Sequence, residues 1–271
     1  MHWIVNTCLK REGGYEALIQ QLENQNVSYT LVRKPPFADY LVNMDNDDEL
    51  TLDIKGAVFV TGTTSMKLVS DKHGWEPGYV DSPGIRECLE HWGVHMLNHD
   101  ATFGAIQDIE VPDYDFFIRP DLDSKSFSGT KMSKNEFNSW RKDLMDIKGW
   151  TSIPPDTLVM VCPLKRIWAE YRCSVIDGRV VTASRYKTGQ TVAYSSEVGN
   201  RIINFANDRV KEWNPRIAFT LDVADTPEGL KIVETNSISA SGFYALDMNK
   251  FVGHITALGE LYNNAIYARA S

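Results

Sequence analysis

No run of apolar residues in this 271-residue chain approaches the ~20 that a membrane-spanning helix needs, so no spanning segment is expected. Positive charge is scarce: 28 Lys and Arg against 36 Asp and Glu leave a net charge of −8. That excludes a general electrostatic footprint for nucleic acid, while a local basic groove stays open. Four cysteines, at positions 8, 88, 162 and 173, lack metal-ligand spacing. Cys162 and Cys173 fall in predicted strands, which favours buried thiols in a reducing, cytoplasmic setting. The stretch from Met1 to Cys8 is too short for a signal peptide, and charge begins at Lys10. Walker-type GxxxxGK[ST], HExxH and a Ser-His-Asp signature are all missing, as are repeats and low-complexity tracts. What remains, 43% hydrophobic and 24% charged, is an ordinary globular chain long enough for one large or two modest domains.

Against these absences, two acidic segments near the C-terminus stand out. In AFTLDVADT, Ala218, Thr220 and Asp222 alternate with Phe219, Leu221 and Val223, which reads as a strand. Thr226, Pro227, Glu228 and Gly229 form a turn, and residues 230–233 read as the returning strand. The hairpin brings Asp222 near Glu234, and Asn236 shares the face of Glu234 if the strand continues. Two carboxylates and an amide oxygen make a hard-oxygen site suited to Mg²⁺, with Mn²⁺ as an alternative. Ordinary acidic surface residues on a hairpin are the plain alternative.

Upstream, residues 115–120 form a short apolar strand ending in Arg119 and Pro120. It runs into a loop, residues 121–131, rich in Ser, Gly and Lys. Such a loop can offer backbone N–H groups to phosphate oxygens, with Arg119, Lys125 and Lys131 supplying charge. Between these segments, residues 157–163 read as an apolar strand ended by proline, followed by Lys165 and Arg166. Then comes a hairpin, residues 168–186, turned at Asp177-Gly178, the strongest short hairpin signal. Glu170, Arg172 and Ser174 share one face of its first strand. Arg172 and Arg185 each stand among apolar or small residues, which solvated surface charge explains poorly.

In this order the segments resemble the ATP-grasp superfamily over roughly residues 95–271. More narrowly, they are similar to small phage-type members in which FIRP replaces the usual lysine before the loop. The resemblance implies an α/β (α+β) ATP-grasp fold, residues 96–271, preceded by a small open-sheet α/β domain, residues 1–95. It implies that Arg119 contacts the α/β phosphates, as a planar fork where lysine is a point charge. The loop from Ser124 to Thr130, with Lys125, Ser126, Phe127, Ser128 and Gly129, would close over the β/γ phosphates. The linker from Val161 through Cys162 to Leu164 would bind adenine through its backbone. Asp222, Glu234 and Asn236 would hold Mg²⁺ beside ATP. Arg172 and Arg185 are candidates for stabilising the transferred phosphoryl group and the acyl intermediate, and Lys165 and Glu170 for contacting nucleotide or substrate.

The implied activity is an ATP-dependent carboxylate–amine ligase working through an acylphosphate. Its partners would be small-molecule or peptide carboxylates and amines, and a homodimer is possible. The implied location is the cytoplasm, the host's if the gene is phage-borne. An ATP-grasp kinase and a nucleotide-binding module without catalysis are the alternatives.

Elsewhere the sequence is plainer. Strands are expected over residues 3–7, 27–32 and 57–61, and helical spacing over 15–22. Gly62-Thr63-Thr64-Ser65 opens a further helix and either binds an anion or simply caps it. His91, His95 and His99 have helical spacing, but Gly93 interrupts them and no metal role is expected. Ser133 with Glu136 reads as a capping box. Phe251, Ile255, Leu258 and Tyr262 give the last helix a core-facing stripe.

Overall fold

The computed structural model of the protein describes residues 1–11, 13–121, 127–147, 149 and 151–270. Its elements alternate strand and helix at first and then become strand-rich. β1 (His2–Asn6), α1 (Tyr15–Asn24), β2 (Tyr29–Val32), β3 (Val58–Thr61), α2 (Met66–His73) and the short β4 (Pro77–Gly78) build a parallel sheet in the order β2-β1-β3-β4. Its central strands are buried on both faces, as a parallel sheet covered by helices requires. Trp3, Val5 and Phe59 face α1, while Ile4, Val58 and Val60 face α2. β2 begins at Tyr29 rather than at the expected residue 27. Ser65 stands at the start of α2 without a side-chain cap bond.

α3 (Ile85–Trp92) leads to two antiparallel sheets. β5 (Thr102–Ala105), β6 (Phe116–Pro120), β7 (Thr130–Met132) and β8 (Leu158–Pro163) assemble in the order β5-β8-β6-β7. α4 (Lys134–Asp146) packs on them through Phe137 and Leu144. The second sheet has the order β11-β10-β9-β12-β13. Its strands are β9 (Ala169–Ile176), β10 (Arg179–Thr188), β11 (Thr191–Ser195), β12 (Ala218–Thr226) and β13 (Gly229–Asn236). α5 (Asn200–Glu212) covers one face together with α3, against Cys173, Val175, Phe219, Leu221 and Ile232. α6 (Met248–Ala270) closes the chain.

Position along the chain does not divide the packing. α3, which precedes residue 95, buries Ile85, Cys88 and Trp92 against the five-stranded sheet. Phe251, Val252, Ile255 and Leu258 of α6 bury themselves with Trp3, Leu18, Leu22 and Phe59 of the first sheet and its helix. The expected boundary after residue 95 therefore coincides with no gap between hydrophobic clusters.

The three histidines separate. His91 stacks on Trp213 at 4.1 Å, His95 meets Phe205 edge-on, and His99 hydrogen-bonds through Nδ1 with the Met96 carbonyl. Among the described residues no group of three or more His, Cys, Asp or Glu could hold a metal ion, and no helix is long and apolar enough to cross a membrane.

Candidate active site

The face of the five-stranded sheet turned away from α5 is polar, and strand register explains why. Asp222 lies opposite Arg172 on one side and Glu234 on the other; Thr220 lies opposite Ser174 and Asn236. Directly paired residues share a face, so one side of the sheet carries these six residues. A straight ladder running back from the turn, where Thr226 pairs with Gly229, would have set Val233 against Asp222. A β-bulge after Ile232 inserts one residue and brings Glu234 there instead.

The described part of the phosphate-type loop sits above this face. Phe117, Arg119, Phe127, Ser128 and Gly129 line one wall of a cleft of about 800 Å³, and Arg172, Glu234 and Asn236 line its floor. Arg119 Nη1 reaches down from β6 to Glu234 Oε2 at 2.5 Å, joining the two sheets. Gly129 is packed against β6: a Cβ there would lie 2.4 Å from Phe117 Cζ, so only glycine brings the loop backbone this close. Ser124, Lys125 and Ser126 lie outside the described residues.

The remaining wall comes from residues not singled out by sequence. Asp121, buried at the end of β6, accepts a hydrogen bond from Arg86 Nε at 2.6 Å, and the guanidinium of Arg86 covers the Phe103 ring. Residues 237–242 cross the cleft edge. Gly62 N and Thr61 Oγ1 donate to the Ser239 carbonyl, and Ser237 Oγ donates to the Val80 carbonyl. The signal for this segment was present: Ser237, Ser239, Ser241 and Gly242 follow directly after Asn236. Thr235 points to the opposite face, where its hydroxyl bonds with Cys88 and with the Pro83 carbonyl. Burial pushes the Cys88 thiol up to about 11.

Arg172 and Asp222 form a sealed pair. Nε donates to Oδ1 at 2.9 Å and Nη2 to Oδ2 at 2.8 Å. Their side chains are 9% and 2% exposed. Burial works to lower the Arg172 pKa, but Asp222 and its two hydrogen bonds hold it above the ordinary arginine value. Burial raises the Asp222 carboxyl, with Arg172 opposing. Tyr186 and Tyr244 complete the surroundings, their ring centres 5.8 and 4.9 Å from the guanidinium carbon.

Other expected site residues lie apart from the cleft. Arg185 is opposite Tyr171, and its neighbour Ser184 is the one opposite Arg172. Arg185 therefore leaves the sheet from the other face and does not meet Arg172. Glu170 is on the Arg172 face but is taken by the Tyr186 hydroxyl and by Lys187 Nζ, both at 2.8 Å. Val161 and Cys162 are within the β8 ladder, opposite Ile118 and Phe117, whereas Leu164 lies past its end and is exposed. Lys165 pairs with Asp100.

Residues 44–255, well over half of the chain, match a family model described as an ATP-grasp domain, family 3 of its clade. The chain belongs to the ATP-grasp superfamily. No curated protein matches it. Among solved ATP-grasp structures, the D-alanine–D-alanine ligase from Coxiella burnetii is 15% identical with a TM-score of 0.64, covering 100% of this chain and 98% of its own. The D-cycloserine synthetase DcsG is 9% identical with a TM-score of 0.59, covering 94% and 98%. The ATP-grasp ligase PsnB, complexed with minimal precursor, Mg and ADP, is 12% identical with a TM-score of 0.54, covering 96% and 98%. At such identities the likeness is one of fold. It extends over the parallel sheet as well, so this ATP-grasp protein shares its whole architecture with theirs.

The donor set suits a divalent cation only in part. Glu234 and Asn236 are half-buried, line the cleft and present oxygen-bearing side chains, which fits a hard cation that keeps water and phosphate ligands. Asp222 does not fit as well: both its oxygens are bonded to Arg172, and it is 1% exposed.

Proposed function

We propose that the protein is an ATP-dependent carboxylate–amine ligase acting through an acylphosphate. One observation carries the reading: two sheets close on one cleft in which Arg119, the glycine loop and Arg172 face the Glu234–Asn236 pair. In this reading a substrate carboxylate oxygen attacks the γ-phosphorus of ATP and ADP leaves. An amine nitrogen then attacks the acyl carbon, phosphate leaves, and the amine gives up a proton. Nothing here needs a protein nucleophile; the requirement is positioning and charge neutralisation. Arg119 and the backbone around Gly129 would hold phosphate oxygens, and Arg172 would meet charge developing at the transferred group. Glu234 and Asn236 would hold Mg²⁺, which neutralises phosphate charge when bound. The 161–164 linker would take adenine, and residues 1–95 with the 237–242 segment would present the acceptor. Small-molecule or peptide substrates are both within this reading, since the named relatives include ligases of each kind.

Calorimetry should detect ATP binding only with Mg²⁺, and saturation a hundredfold above Kd should stabilise the fold by about 2.7 kcal/mol. Glu234→Gln and Asn236→Ala should lose turnover with the fold retained. With a panel of carboxylates, hydroxylamine should trap an acylphosphate as a hydroxamate, in step with ADP and phosphate. Binding without Mg²⁺ dependence, or a stable phosphoester as the sole product, would sink the ligase assignment.

A further inference from the structure

The pair Arg172–Asp222 has a use of its own. We propose that Asp222 is the anchor of Arg172 rather than a ligand of the divalent cation. The cation is then held by Glu234 and Asn236, while Arg172 faces the cleft as a preset receptor for anionic oxygens. The proposal rests on the ligase reading only for the identity of cation and anion.

Four restraints hold the guanidinium. Asp222 grips it through two parallel hydrogen bonds, the fork geometry that arginine provides and lysine does not. Arg172 Nη1 donates to the Gly242 carbonyl at 3.4 Å. The rings of Tyr186 and Tyr244 flank it, and Tyr244 is itself stacked between Tyr186 at 5.0 Å and Tyr194 at 5.1 Å. Tyr244 has φ 52°, a left-handed conformation that a bulky residue adopts only where its surroundings enforce it. A chain that strains a tyrosine to sit against an arginine is fixing that arginine.

Access separates the two partners. Arg172 lines the cleft and Asp222 does not. A cation that demands near-octahedral oxygen geometry could take Asp222 only by displacing Arg172, which would strand a buried guanidinium. Asn236 turns its amide nitrogen towards Glu234 Oε1 at 3.2 Å and Asp222 Oδ2 at 3.5 Å. Its carbonyl oxygen is therefore on the side away from both carboxylates. Glu234 and Asn236 remain the pair that can share a cation at the cleft surface.

The test measures Mn²⁺ affinity by electron paramagnetic resonance with a saturating non-hydrolysable ATP analogue, alongside thermal unfolding and turnover. Glu234→Gln should weaken Mn²⁺ binding by about tenfold or more. Asp222→Asn should keep the native Mn²⁺ affinity while lowering both the unfolding temperature and kcat. The double variant Arg172→Met/Asp222→Leu removes the buried pair together, so it should recover the unfolding temperature, keep Mn²⁺ affinity and remain inactive. If Asp222→Asn fails to fold, the double variant alone decides the matter. Loss of Mn²⁺ affinity in either Asp222 variant to the extent seen with Glu234→Gln overturns the proposal. If the native protein binds no nucleotide, the ligase reading fails. The anchor role then stands or falls on whether the double variant unfolds at a higher temperature than Asp222→Asn.

Discussion

Gly129 illustrates how far single residues can be read. The sequence offers only a glycine in a polar loop, a common occurrence, whereas the structure shows the loop backbone lying on the Phe117 ring. Gly129→Ala should force that ring or the loop to move and destabilise the protein by about 1–3 kcal/mol, as overpacking does. Phe117→Leu should relieve the clash in the double variant, and a chemical-denaturation cycle would measure the coupling. Additive losses would mean that the contact is not what requires glycine. Arg119 is legible in a different way, as a cation at the end of an apolar strand. Its partner Glu234 is 115 residues away and invisible to spacing, because it depends on two sheets facing each other. Arg119→Lys should keep more turnover than Arg119→Ala, since an ammonium can reach the same carboxylate and phosphates without the planar fork. Equal losses in kcat/KM would make bidentate geometry the requirement. Tyr186 and Tyr244 gave no signal at all: one reads as a strand residue and the other as a loop residue, and only the fold stacks them beside Arg172.

Elements were read more easily than their registers. Asp177 and Gly178 adopt φ of 51° and 71°, both positive as the tight two-residue hairpin turn demands, so that turn followed directly from residue type. The bulge after Ile232 did not, because no residue there favours one; the identity of the neighbouring strands and the polar face select it. The face of Arg185 was missed for the same reason. Bulges in the β9–β10 ladder, between Val180 and Thr182 and between Arg185 and Lys187, shift the alternation that a straight strand would have. α4 is the opposite case, set by local chemistry. Ser133 Oγ accepts from Glu136 N at 3.3 Å, and Ser133 N donates to Glu136 Oε2 at 2.7 Å. Ser133→Ala should cost about 1 kcal/mol. The Ser133 backbone N–H, and then its hydroxyl, hold the Glu136 carboxyl below the ordinary glutamate value of 4.5. The unfolded chain thus takes up this proton first as pH falls. The cap's charged contribution is complete above 4.5 and is lost as pH drops through the lowered value. Urea unfolding of native and Ser133→Ala proteins should therefore differ more at neutral pH than in acid. A difference independent of pH would show that Glu136 contributes nothing through its charge.

At the scale of the whole molecule, the order of motifs announced the fold, while the joining of its parts had to be seen. A period of about 3.6 marked α6 as having a core-facing stripe, but periodicity does not say which core. That stripe meets Trp3 and Phe59, with Phe251 edge-on to Trp3 at 6.2 Å and to Phe243 at 5.7 Å. The C-terminal helix is thus part of the first sheet's core, and the cleft lies where the N-terminal unit, the loop-bearing sheet and the polar face converge. Holding the 237–242 segment against Thr61, Gly62 and Val80 depends on that shared core staying closed. Phe251→Ala should destabilise the protein by about 3–5 kcal/mol, the range for deleting a buried aromatic side chain. The loss should appear in one transition, because the cluster it opens belongs to the N-terminal and C-terminal parts alike. Tryptophan fluorescence and far-ultraviolet circular dichroism should give coincident midpoints in the native protein and in the variant. Two separated transitions, with only one shifted by Phe251→Ala, would mean that residues 1–95 unfold as an independent domain despite the shared cluster.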